Sequence, residues 1–202
     1  MKRLILAYLA VILGVQSALA AEPAASAAAT SAATAAAKPA PDAAKIARGK
    51  YLVTVAVCND CHTPWHDTPN GPEPDMSRML QGHPENFPIT EPAKMDGQPW
   101  LVAFSPTNTA WSGPWGVSFT ANLTPDEETG IGKWTEQTFI QTIRTGRHLG
   151  RGRKLLPPMP APMYKHFTDE DLSSIFAFLQ SIPAIRNRVP EPLPPAGPAP
   201  AP

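Results

Sequence analysis

The chain has no net charge and little β-strand pattern. Its 202 residues include 17 basic and 17 acidic side chains, so no overall field would attract nucleic acid or an anionic membrane. No strand-like run is longer than residues 100–104 (WLVAF), and no internal repeat is present. The 26 prolines and 13 glycines instead indicate that much of the chain is loop.

Cysteine is also scarce, and both cysteines fall in one motif. Cys58 and Cys61 are separated by two residues, and His62 follows directly. No second C-x-x-C and no spaced histidine pair completes the four ligands of a zinc site. No βαβ pattern surrounds the motif, which argues against a thioredoxin-like dithiol. A disulfide across so short a loop would add little stability.

The amino terminus has the pattern of a secretory signal peptide. Basic residues precede an apolar run from Leu4 to Val15, and an A-x-A cleavage site ends at Ala20. The run is too short to span a bilayer comfortably. We predict a signal peptide over residues 1–20 and export to the periplasm. If the segment is not cleaved, it would tether the protein to the membrane.

Two low-complexity segments flank the predicted domain. Residues 21–41 form an Ala/Pro-rich tether with little to bury, and residues 191–202 form a proline-rich tail. The domain is therefore predicted over residues 42–190. Its helical segments are expected at residues 42–57, 135–146 and 168–183, the last with Thr168 as its N-cap.

In an exported chain, C-x-x-C-H is the attachment signature of a c-type haem. Cys58 and Cys61 lie one helical turn apart, so each can add to a vinyl group at one edge of the porphyrin. His62 then projects toward the iron as the proximal ligand. The sequence therefore predicts one covalent haem c, with Cys58 and Cys61 as its thioether anchors.

The segment "LLPPMPAPM" offers candidates for the sixth ligand of the iron. This segment holds Met159 and Met163. Prolines on both sides of Met159 stiffen the backbone, which suits a thioether held at a fixed height above a ring. Met159 is the first choice for the distal ligand and Met163 the second. The other histidines are weaker candidates: His66, His83, His148 and His166.

The order of these features resembles a class I cytochrome c. A helix, C-x-x-C-H, loops, a proline-flanked methionine and a closing helix follow one another. Met159 precedes the cap Thr168 by nine residues, which resembles the spacing in that family, whereas Met163 precedes it by five. The resemblance implies a mainly α fold, with a few helices around one covalent haem and a long loop insertion.

A second resemblance is more specific. "GVSFTANLTPDEETGIGKWTEQTFIQTIRTG", then "PPMP" and "FTDEDLSSIFAFLQSIP", is similar to the cytochrome c domains associated with bacterial alcohol and sugar dehydrogenases. Those subunits typically carry three haem motifs, whereas this chain has one. It also inserts a Trp/Pro-rich stretch, Trp65–Trp115. The tryptophans are expected to pack over the haem: Trp65, Trp100, Trp111, Trp115 and Trp134.

These observations predict an electron carrier with no catalytic residue. Its partners would be a redox protein donor and acceptor, such as a dehydrogenase or a terminal oxidase. Two alternatives stay open: a haem enzyme or gas sensor with an open distal position, and a fixed subunit of a membrane dehydrogenase. The basic loop of residues 144–154 is either solvated or serves propionate pairing or docking.

Overall fold

The structure is a computed structural model that describes residues 42–95 and 99–195. The predicted signal peptide (residues 1–20) and tether (residues 21–41) lie outside the described residues, as does the end of the tail from residue 196. Within the described residues, no helix is long and apolar enough to cross a bilayer. Packed contacts continue past the predicted boundary at residue 190, because the backbone of Leu193 pairs with that of Val117.

The described residues contain five α-helices and two small antiparallel sheets. The helices are α1 (Ala43–Val55), α2 (Cys58–His62), α3 (Glu136–Thr145), α4 (Ala161–Tyr164) and α5 (Asp169–Leu179). Strands β1 (Trp65–Thr68) and β2 (Gly71–Pro74) form one hairpin. Strands β3 (Ala103–Phe104), β4 (Ala110–Gly113) and β5 (Gly116–Phe119) form a three-stranded sheet in that order.

The three predicted helices begin at polar side chains that accept hydrogen bonds from their first turns. Asp42, Thr135 and Thr168 are the N-caps, and Gly146 ends α3 with a φ of 62°. This is the left-handed conformation that glycine adopts without strain. The first helix was predicted to run to residue 57, but it ends at Val55. Val57 has a φ of 53°, and the chain turns there before α2 begins.

The predicted mainly α architecture omitted the two sheets. Each strand has two to four residues, which is too short to display a clear alternation. All four residues of β5 are buried, so polarity does not alternate along it. The run WLVAF contributes only its last two residues to a strand, and the side chain of Trp100 is 72% exposed.

The main apolar core lies where α1 crosses α5. Leu52 and Val53 of α1 are buried with apolar side chains of α3 and α5. Gly49 provides the closest approach, because a Cβ at this position would lie 1.9 Å from the carbonyl oxygen of Ser174. This core also contacts the partly buried side chains of Cys58 and Met159, so it forms one wall of the candidate site.

The ion pair between α1 and α5 predicts sensitivity to acid. Arg48 lies 2.9 Å from Asp171, and this hydrogen bond is the main cause of a lowered pKa of that carboxyl group. A carboxyl whose pKa is lower in the folded state stabilises the fold above its unfolded pKa of about 4, and the contribution is lost as the pH falls further.

We expect Asp171→Asn to flatten the decline of unfolding free energy below about pH 4. Denaturant unfolding at a series of pH values measures this, with the exposed Glu170→Gln as control. Parallel curves for the two variants would contradict it.

Candidate functional site

Helix α2 carries both cysteines and ends at the histidine. Cys58 and Cys61 are three positions apart, which brings their side chains to neighbouring places on one face of the helix. The two thiols are not joined in a disulfide, and both side chains are partly buried. The site therefore offers two separate sulfur atoms beside one imidazole.

His62 is held in one orientation by the backbone. Its side chain is buried, and Nδ1 lies 2.8 Å from the carbonyl oxygen of Ala121. Nδ1 therefore carries the proton and donates it, which leaves the lone pair on Nε2. Burial lowers the pKa of the imidazole, although the hydrogen bond to Ala121 acts in the opposite direction. A neutral ring with its second nitrogen fixed by a carbonyl is the usual arrangement of a metal-ligating histidine.

The cysteine thiols do not have the electrostatics of a reactive dithiol. Burial raises the pKa of Cys58 to about 11. Burial also raises the pKa of Cys61, and the negative charge of Asp60 adds to this effect. Reactive cysteines instead have lowered pKa values, in electropositive and partly exposed surroundings.

The two candidate methionines differ in environment. Met159 is partly buried and packs against the same apolar core as Cys58. Met163 lies in α4 and is 68% exposed. Met79, which the sequence did not single out, also packs against this core. The structure thus places Met159, and not Met163, beside the apolar wall that the attachment helix also contacts.

The remaining histidines are placed less suitably for binding iron. His83 is buried, with Nδ1 2.9 Å from the hydroxyl of Thr109 and Nε2 2.8 Å from the carbonyl oxygen of Phe87. His148 packs edge-on against Trp134, with ring centroids 5.6 Å apart. His66 and His166 are exposed.

Comparison with known proteins identifies relatives of this chain among bacterial dehydrogenase subunits. No protein-family model matches the chain. It is 31% identical over 146 residues to the fructose dehydrogenase cytochrome subunit of Gluconobacter japonicus, covering 71% of this chain and 23% of that protein. It is 27% identical over 153 residues to the cytochrome c subunit of a quinone alcohol dehydrogenase from Gluconobacter oxydans, covering 74% of this chain and 24% of that protein.

A third relative agrees over a shorter region. The gluconate 2-dehydrogenase cytochrome c subunit of Pantoea cypripedii is 37% identical over 65 residues, which cover 32% of this chain and 14% of that protein. The chain is a homologue of dehydrogenase cytochrome c subunits. The resemblance predicted from the sequence is therefore confirmed, and the names of these relatives imply haem c. The chain spans less than a quarter of the length of each of these three relatives.

A haem fits the residues that this cytochrome homologue places around α2. The donor set is right, with two unjoined thiols one turn apart and a neutral imidazole that has Nε2 free of the backbone bond. The indole N–H of Trp111 and the hydroxyl of Thr120 are also buried without a hydrogen-bond partner among the described residues. Such groups normally have a partner, and propionate oxygens would be suitable acceptors. Thr120 directly precedes Ala121, whose carbonyl orients His62.

The basic loop of the cytochrome homologue is partly tied to its own surroundings. Arg144 donates a 2.5 Å hydrogen bond to Asp169 at the start of α5. Arg147 donates to the carbonyl of Gly152 at 2.9 Å, across the turn of the loop. Both arginines therefore support the local structure of the loop.

Proposed function

We propose that this protein is a periplasmic electron carrier with one covalent haem c and His/Met axial ligation. The observation that carries the proposal is the geometry of His62. Its ring is buried, Nδ1 is bound to a backbone carbonyl, and it directly follows the two unjoined cysteines in α2. An imidazole fixed in this tautomer presents Nε2 to a metal.

Each residue has a separate task in this proposal. Cys58 and Cys61 would hold one edge of the porphyrin through thioether bonds, and His62 and Met159 would bind the iron from opposite faces. The haem, when bound, supplies the one-electron chemistry. The protein would supply a hydrogen bond that orients His62 and an apolar core against which Cys58 and Met159 pack, which would help to exclude water. Methionine as the second ligand raises the reduction potential.

A dehydrogenase is the proposed electron donor. The relatives of this chain are named as cytochrome subunits of fructose, alcohol and gluconate dehydrogenases. The protein would accept single electrons from such an enzyme and pass them to another redox protein or a terminal oxidase. Interfaces of this kind are small and transient.

The distal ligand is tested by replacing each methionine in turn. We expect Met159→Ala to abolish the weak far-red charge-transfer band of a methionine sulfur on ferric haem, because Met159 packs against the core of the site. Met163→Ala is the matched control, since this side chain lies four residues away and is 68% exposed. The measurement is a visible spectrum of the oxidised holoprotein, followed by reduction and addition of carbon monoxide.

The outcomes separate the proposal from its alternatives. Loss of the band in Met159→Ala alone, with prompt carbon monoxide binding only in that variant, supports a ligated electron carrier. Loss of the band in Met163→Ala alone would transfer the ligand role to Met163. A wild-type protein without the band that binds carbon monoxide at once would have an open iron, and it would then be a haem enzyme or a gas sensor.

A further inference from the structure

The three-stranded sheet is attached to the haem-attachment helix. Between β3 and β4, the side-chain amide of Asn108 donates to the carbonyl oxygen of Asp60 at 2.9 Å. The indole N–H of Trp65 donates to the same carbonyl at 2.8 Å. Asp60 lies between the two cysteines, so both bonds hold α2 at its middle. The inserted segment therefore contacts the attachment motif through specific polar bonds.

The same sheet is attached to the loop that carries Met159. The hydroxyl of Ser118 in β5 donates to the carbonyl oxygen of Pro157 at 2.5 Å, two residues before Met159. Pro157, Pro158 and Pro160 have no backbone N–H, so carbonyl oxygens are the main polar groups by which this loop can be held. Ser118 is buried, with 8% of its surface exposed, so its bond is shielded from water.

A third contact joins the segment after the loop to the turn that precedes the attachment helix. Tyr164, at the end of α4, donates its phenolic O–H to the carbonyl oxygen of Ala56, which lies two residues before Cys58. The contacts thus form a closed ring, which we call the site ring. It runs from α2 to the sheet through Asn108, from the sheet to Pro157 through Ser118, and from α4 to Ala56 through Tyr164.

We propose that Ser118 is a positioning residue that holds the Met159 loop at a fixed distance from His62, with the sheet as the rigid element of the site ring. A closed ring of contacts keeps the Met159 loop and α2 together better than a single contact does. To separate them, one hydrogen bond must break while the others still hold their segments. Asn108 and strands β3 and β4 belong to the Trp/Pro-rich insertion, so the insertion contributes part of the site ring, and Ser118 follows it directly in β5. The inference rests on the proposed ligation by Met159.

The test compares two buried serines of the same sheet. Ser112 lies in β4, is 7% exposed, and its Oγ accepts a bond from the backbone N–H of Ala93 at 3.0 Å. Ser118→Ala and Ser112→Ala therefore each remove one buried hydroxyl, but only the first removes the tie to Pro157. Imidazole is titrated into the ferric holoprotein while the far-red band is recorded, because imidazole must displace Met159 to bind.

Ser118→Ala is expected to bind imidazole about fivefold to tenfold more tightly than wild type, as the loss of one buried hydrogen bond predicts. Ser112→Ala is expected to bind it as wild type does. Backbone hydrogen exchange at Met159 and Ala161 gives a readout that does not depend on iron ligation, and it should be faster only in Ser118→Ala. Thermal unfolding of both variants measures the general cost of losing a buried hydroxyl.

Equal imidazole affinity and equal exchange in the two serine variants would overturn the positioning role, even if Met159→Ala abolishes the far-red band. If Met159→Ala instead leaves the band intact, the proposed ligation by Met159 fails. The exchange comparison then decides separately whether Ser118 holds this loop. Faster exchange in Ser118→Ala alone supports the conclusion that the hydrogen bond from Ser118 holds this loop. Identical exchange in the two serine variants rejects it.

Discussion

Gly49→Ala is expected to separate α1 from α5 and to remove much of the stability of the fold. A Cβ at this position would lie 1.9 Å from the carbonyl oxygen of Ser174 and 2.8 Å from the Cβ of Phe178. Neither atom is at the end of a flexible side chain, so the helices themselves must shift. Overpacking a core costs about 1–3 kcal/mol or more, against a total stability of about 5–15 kcal/mol for a typical domain.

Intrinsic helix propensity would favour this substitution. Alanine is better than glycine inside a helix by about 1 kcal/mol, so a loss of stability at Gly49 can be attributed to the contact with α5. Denaturant unfolding of the holoprotein measures the effect. Lys50→Ala is the matched control, because Lys50 is the next residue of α1 and is exposed. An unfolding midpoint for Gly49→Ala equal to that of the control would refute the prediction.

The second large effect is expected from the cysteines. The double variant Cys58→Ala/Cys61→Ala should retain no haem after denaturation, because the chain has no other sulfur that can form a thioether. Each single variant should retain one bond and less pigment. The expected change is complete loss of the covalent haem signal. Stability should also fall, because the proposed haem would no longer pack against the core that contacts Cys58.

Haem staining of the denatured chain, together with the mass of the intact chain, measures this effect. His66→Ala is the control, because this histidine lies close to the motif but is exposed on β1. It should stain as the wild type does. Covalent haem in the double cysteine variant would contradict the predicted attachment, and loss of staining in the control would indicate a general failure of maturation.

The local features of the fold were predictable because they depend on neighbouring residues. Thr168 caps α5 as expected, and Thr135 caps α3 in the same way, since each hydroxyl accepts a hydrogen bond from the amide three positions along the chain. The break before α2 was not predictable. Val57 adopts a left-handed backbone conformation, which is rare for a β-branched residue. A valine at this position therefore does not indicate a turn.

The polar contacts of the site were missed for a different reason. Asn108 and Ser118 bind carbonyl groups that lie 48 and 39 positions away in the chain. Neither residue belongs to a recognisable motif, and a backbone carbonyl is present at every position. A sequence pattern therefore cannot identify the donors that will reach it, whereas the sheet register determines which hydroxyl faces Pro157.

The sequence by itself determined the attachment motif, the candidate ligands and the starts of the three main helices. The chemistry of C-x-x-C-H resides in three residue types at fixed spacing, and capping depends on contacts within one helical turn. Only the tertiary structure decided which methionine packs against the core and which is exposed. It also decided how His62 is oriented and how the sheet joins the two sides of the site. These properties depend on burial and on hydrogen bonds between distant segments, which exist only once the chain has folded.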